Sequence, residues 1–259
     1  MLSDSKIVKA RALYYNLFAN FFIVPSDIKN YLALINLINL LKQNPLDENS
    51  KYALEQISNQ LDPTSNTTLM QEFDDLFYNP TTKKVRLTAS FYDEGLESGK
   101  KRVEMLQFVA KTKIRRDEKN FYEYEDSIGF IFTLLSQLCD LVANGDESYV
   151  DTIHCIFEQV LNGFVDDVAS NIYEHNIANI YKNLMVVLHS FIELERLYLE
   201  VSKPTLKIKE NKEQSCEVIS EEEKQRRARN KALKAKGAKN QTNDESCPIY
   251  VAYDVEDSI

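Results

Sequence analysis

Asp126-Ser-Ile-Gly-Phe-Ile-Phe-Thr-Leu-Leu-Ser-Gln-Leu-Cys-Asp-Leu-Val142 decides the architecture. Its apolar residues Ile128, Ile131, Leu134, Leu135, Leu138, Leu141 and Val142 recur at the spacing of one helix face. Asp126 offers a cap at the front, and Asn144-Gly145 a stop behind. Upstream, the same period predicts an amphipathic helix through residues 12–24, then helices over 27–44, 47–60, 64–78 and 96–113. Downstream it predicts helices over 149–171, with a break at Gly163, and over 179–201. Residues 81–90 show no helical period and read as an extended loop; 114–125, also without period, read as a hinge between two helices. Six glycines and six prolines in 259 residues argue against turn-dense β folds and glycine-loop α/β folds. An all-α chain is expected.

Charge is uneven along it. The chain carries −9 overall, yet residues 202–259 are nearly balanced, which leaves residues 1–201 at −10. An acidic body repels phosphate backbones, so nucleic acid is excluded as a partner and a cationic peptide is favoured. Cys139, Cys155, Cys216 and Cys247 are too sparse for a disulfide framework and fit a reducing, cytoplasmic setting. The cationic start before Ala12–Val24 lacks a small-residue cleavage pattern, and no apolar stretch reaches the roughly 20 residues of a bilayer span, so no membrane insertion is expected.

Tests for chemistry return little. None of His154, His175 and His189 has a glutamate three residues before it, as a di-metal bundle requires. Gly99-Lys100 has Glu94 where a phosphate loop needs its first glycine, and no nucleophile elbow or dinucleotide fingerprint occurs. The expectation is a non-enzyme without metal or cofactor. Glu94, Glu97, Glu123, Glu125 and Asp126 form an acidic cluster with no partnering electrophile.

Glu123-Tyr-Glu-Asp-Ser-Ile-Gly-Phe130 resembles the hinge motif of the TorD-like family of redox-enzyme maturation chaperones, Glu-Pro-x-Asp-His followed by Ile/Leu and Gly/Ala. Glu123, Asp126, Ile128 and Gly129 match; Tyr124 stands where proline is usual and Ser127 where histidine is. Phe73-Asp-Asp-Leu-Phe-Tyr-Asn-Pro80 is similar to the family's Tyr-x-x-Leu-Phe-x-x-Pro, Ala89-Ser-Phe-Tyr92 to its Ser-x-Tyr element, and Ala10-Arg-Ala-Leu-Tyr14 to its opening. The resemblance spans about residues 5 to 200. It implies a two-lobed helical bundle: residues 1–113 as one lobe, 114–127 as hinge and 128–201 as the second lobe; residues 202–259 lie outside the resemblance and read, from their Lys/Glu-rich composition, as a charged, flexible extension.

It also implies a cytoplasmic chaperone, monomer or homodimer. Such a chaperone binds the twin-arginine signal peptide of a molybdenum- or tungsten-enzyme precursor and assists its maturation before export. Glu123, Tyr124, Asp126, Ser127 and Tyr92 are the expected peptide-binding residues. A receptor for a cationic, partly apolar peptide calls for an acidic rim beside an apolar groove. The alternative is a helical adaptor that binds another protein and ignores signal peptides. The basic run Lys224–Lys239 is a candidate competitor for the same site.

Overall fold

The computed structural model describes residues 5–24, 27–117 and 121–204, which belong to one compact unit. Among them are ten α-helices and no strand: α1 (Ser5–Phe22), α2 (Ile28–Gln43), α3 (Glu48–Gln60), α4 (Thr67–Phe77), α5 (Ala89–Glu94), α6 (Lys100–Ala110), α7 (Ile128–Ala143), α8 (Val150–Gln159), α9 (Val165–Tyr173) and α10 (Ile180–Leu199). No described helix is long and apolar enough to cross a membrane. The readings of residues 205–259, as a flexible extension and as a competitor, lie outside the described residues.

Local chemistry sets several boundaries. Asp27 accepts from the Asn30 N–H at 2.9 Å to start α2. Asp47 and Ser50 form a reciprocal capping box on α3. Several boundaries differ from expectation: α1 begins at Ser5 rather than at residue 12, and α6 spans Lys100–Ala110 rather than 96–113. The loop over 81–90 is extended only as far as Thr88, because α5 begins at Ala89. The break expected at Gly163 comes three residues earlier, where α8 gives way at Val160 to a 3-10 turn over Leu161–Gly163.

Aromatic side chains hold the centre. Phe132 of α7 meets Phe18 at 5.4 Å and Phe22 at 5.9 Å between ring centroids, and Phe191 of α10 meets Phe18 at 5.4 Å. Buried beside them, the Arg11 guanidinium forks onto Glu195 at 2.6 and 2.8 Å, and the Tyr15 hydroxyl donates to the same carboxylate at 2.7 Å. A buried pair so fully hydrogen-bonded offsets its own desolvation and fixes how α1 lies on α10. Near Gly129, α1 and α7 approach so closely that a Cβ there would stand 2.9 Å from Ile23 and 3.2 Å from the Phe22 carbonyl. Helices from both sides of residues 114–127 therefore share one core.

Candidate functional site

The segment 123–127 is tied to α5 by a single antiparallel bridge between Thr88 and Ser127. The Ala89 N–H donates to the Asp126 carbonyl at 2.9 Å, and the Ile128 N–H to the Leu87 carbonyl at 2.8 Å. This stitch brings the acidic cluster around the starts of α5, α6 and α7.

Asp126 is 0% exposed. Its Oδ2 accepts from the Ser90 N–H at 2.9 Å, and its Oδ1 has no hydrogen-bond partner among the described residues. The carboxylate thus caps α5 rather than its own helix; α7 is capped by Ser127, whose Oγ accepts from the Phe130 N–H at 3.3 Å. That corrects the expected Asp126 cap. Two adjacent residues both suit the position, and the bridge turns the first of them toward α5.

The other carboxylates have separate duties. Glu94 accepts from the Lys100 N–H at 2.9 Å, supplying the cap that Gly99 cannot give α6. Glu97 accepts from the Thr88 hydroxyl at 2.6 Å and meets Arg86 at 3.5 Å. Glu125, buried, lies between two guanidiniums: Arg102 Nε at 2.8 Å from Oε2 and Arg116 Nε at 2.9 Å from Oε1. Burial pushes its carboxyl up, but Arg102 and Arg116 outweigh that and hold it below the usual glutamate range. Arg102 also stacks over the Tyr124 ring at 4.3 Å.

Glu123 is different. It accepts from the hydroxyls of Tyr78 and Ser127 and meets no cation among the described residues. Burial pushes its carboxyl above the usual range; the two hydroxyls pull it partly back, and the charges of Glu97 and Asp126 add to the push. Around it the surface is aromatic: Tyr78 and Tyr124 are exposed, and Tyr122 is 85% exposed.

Of the expected site residues, the structure brings Glu123 and Ser127 into direct contact, with Tyr124 and Asp126 in the same segment. Tyr92 points elsewhere. Its hydroxyl donates to the Arg86 carbonyl at 3.0 Å and accepts from Asn171 at 3.2 Å, while its ring packs on Phe164. Sequence reasoning missed Tyr78, Arg102 and Arg116; the Arg115-Arg116 doublet just ahead of an acidic run was the available signal for the last. Two clefts lie along α1, away from the carboxylates. One, of about 500 Å³, is lined by Leu13, Leu40 and Leu41; the other, of about 410 Å³, by Ile7, Leu194 and Tyr198. Neither includes a residue of 114–127.

Residues 43–170 match the family described as nitrate reductase delta subunit, a span that contains the whole acidic segment and α3 to α8. The match bears out the resemblance to redox-enzyme maturation chaperones. A crystal structure from Archaeoglobus fulgidus, assigned to a redox enzyme maturation protein, is similar at 18% identity and a TM-score of 0.44, over 71% of this chain and 93% of that one. That likeness is too distant to bear on function. No curated protein matches the chain.

Proposed function

We propose, from the match of residues 43–170 to the nitrate reductase delta subunit family and the resemblance to redox-enzyme maturation chaperones, that the chain binds the twin-arginine signal peptide of a molybdenum- or tungsten-enzyme subunit before export. The observation that carries this is Glu123, a half-buried carboxylate beside exposed tyrosines that no described cation engages. A guanidinium there gains a charge-assisted hydrogen bond from the carboxylate and stacking from an aromatic face. Tyr124, as Arg102 illustrates, offers such a face. Ser127 orients the Glu123 carboxylate, and Asp126 fixes the backbone that carries both. Tyr92 holds the Arg86 end of the preceding loop and acts through position alone. On this reading the protein works on the cytoplasmic side, before its client is translocated.

Calorimetry with a synthetic peptide carrying Arg-Arg ahead of an apolar stretch tests the proposal. Binding is expected to weaken with added salt. Glu123→Gln is expected to weaken it about tenfold, the loss of one charged partner. A second reading, the helical adaptor, draws on the clefts along α1, which lie apart from the carboxylates. It is selected if the Arg-Arg peptide binds no better than its Lys-Lys counterpart and Glu123→Gln changes nothing.

A further inference from the structure

A twin-arginine ligand brings two guanidiniums, and in the segment 123–127 the half-buried Glu123 is followed by the buried Glu125, which reaches the surface only through its two arginine partners. Only the first meets no described cation. We infer that Glu125 is the acceptor for the second arginine and that Arg116 is a resident competitor, an arginine of the chain itself that occupies the place until a client displaces it. This inference rests on the function proposed above.

The geometry separates the two arginines on Glu125. Arg102 belongs to α6; besides Glu125 it bonds the Ser98 hydroxyl at 2.7 Å and stacks on Tyr124, so it is fixed from three sides. Arg116 sits beyond the end of α6, in a stretch with no helix or strand. Its Nε meets Glu125 at 2.9 Å and its terminal nitrogen donates to the Glu123 carbonyl at 2.7 Å, so one side chain spans both members of the proposed site. Arg115, next to it, donates instead to the carbonyls of Val109, Thr112 and Ile114 at 3.0, 2.6 and 2.6 Å, closing the end of α6. The doublet is thus divided: Arg115 anchors the stretch and Arg116 reaches into the acidic segment.

Exchange at this place is electrostatically even. Breaking a buried ion pair is costly because a charge is left without a partner. Here an incoming guanidinium replaces the departing one, Arg102 stays on Oε2, and Arg116 moves to water, so Glu125 is never uncompensated. An uncharged or acidic segment cannot make that swap. Arg116 accordingly acts as a threshold: it excludes ligands with a single arginine, which Glu123 can hold alone, from the tighter mode that uses both carboxylates. A closed form outnumbering the open one nine to one would mask about tenfold of the intrinsic affinity.

The test uses the full-length protein and the Arg-Arg peptide described above. Arg116→Gln keeps Arg102 on Glu125 and is expected to tighten binding about tenfold. The gain should shrink for a peptide with one arginine replaced by glutamine. Unchanged or weaker binding by R116Q, with wild-type binding intact, overturns the competitor and leaves the proposed function standing. Absence of binding to both proteins overturns both. Should R116Q melt below the assay temperature, hydrogen exchange on the wild type decides: amides of residues 112–117 exchange faster with peptide bound if Arg116 is released, and no faster if it is a fixture.

Discussion

At the scale of single residues, Glu123 carries a cost in its ionised form. Its folded-state carboxyl titrates above the unfolded one, first because of burial and then because Glu97 and Asp126 are close. A carboxyl raised in this way binds its proton more tightly in the folded state, so its stability contribution is present below the unfolded value, about pH 4.3, and is lost as pH rises through the raised folded one. Glu123→Gln is therefore expected to raise the melting temperature at pH 7, with the gain vanishing below about pH 4. Melting curves across that range check it, and a variant less stable than wild type at pH 7 contradicts it. Stability gained while peptide affinity falls is the pattern of a group retained for binding rather than for folding. The sequence singled out a five-residue segment but could not divide its labour. Asp126 and Ser127 are equivalent as cap candidates, and the choice depends on the Ser90 N–H, 36 residues away in the chain.

At the scale of elements, helix periods were legible wherever a helix was long enough to show them. α7 lies within one residue of the reading at its C-terminal end, α3 ends at Gln60 as read, and α10 ends at Leu199 against an expected 201. α5 was not legible because six residues contain fewer than two turns, too few for a period to emerge. Nor was the group that caps α10, although the start itself was read to within one residue. Asn179 makes no side-chain cap; instead Glu72, from α4, accepts from the N–H groups of Asn179, Ile180 and Tyr181 at 2.8, 3.0 and 2.9 Å. A buried carboxylate set against the positive end of a twenty-residue helix is a strong staple. Glu72→Ala leaves three inward N–H groups without an acceptor and is expected to cost about 2–3 kcal/mol, measured by urea unfolding. A loss under about 0.5 kcal/mol, the scale of an ordinary surface change, would mean that water replaces the carboxylate.

At the scale of the whole molecule, the division into lobes expected at 114–127 and the shared core make opposed demands. Opening about that segment requires α1 to leave α7 and α10 to leave α3, and with them the Phe18–Phe132 and Arg11–Glu195 contacts. One calorimetric transition is expected, with equal van't Hoff and calorimetric enthalpies; two resolved transitions would establish lobes that unfold independently. A helical composition was readable from glycine, proline and periodicity, but the pairing of α1 with α10 was not, since residue patterns specify which face is buried and not against what. The Arg11–Glu195 pair has a further consequence, in time rather than in space. The partners are 184 residues apart in the chain, so α1 is made first and sealed last. Throughout synthesis the aromatic face of Tyr15, Phe18 and Phe22 waits for α7 and then α10 to emerge, and closing so long a loop comes late in folding whatever the speed of the individual helices.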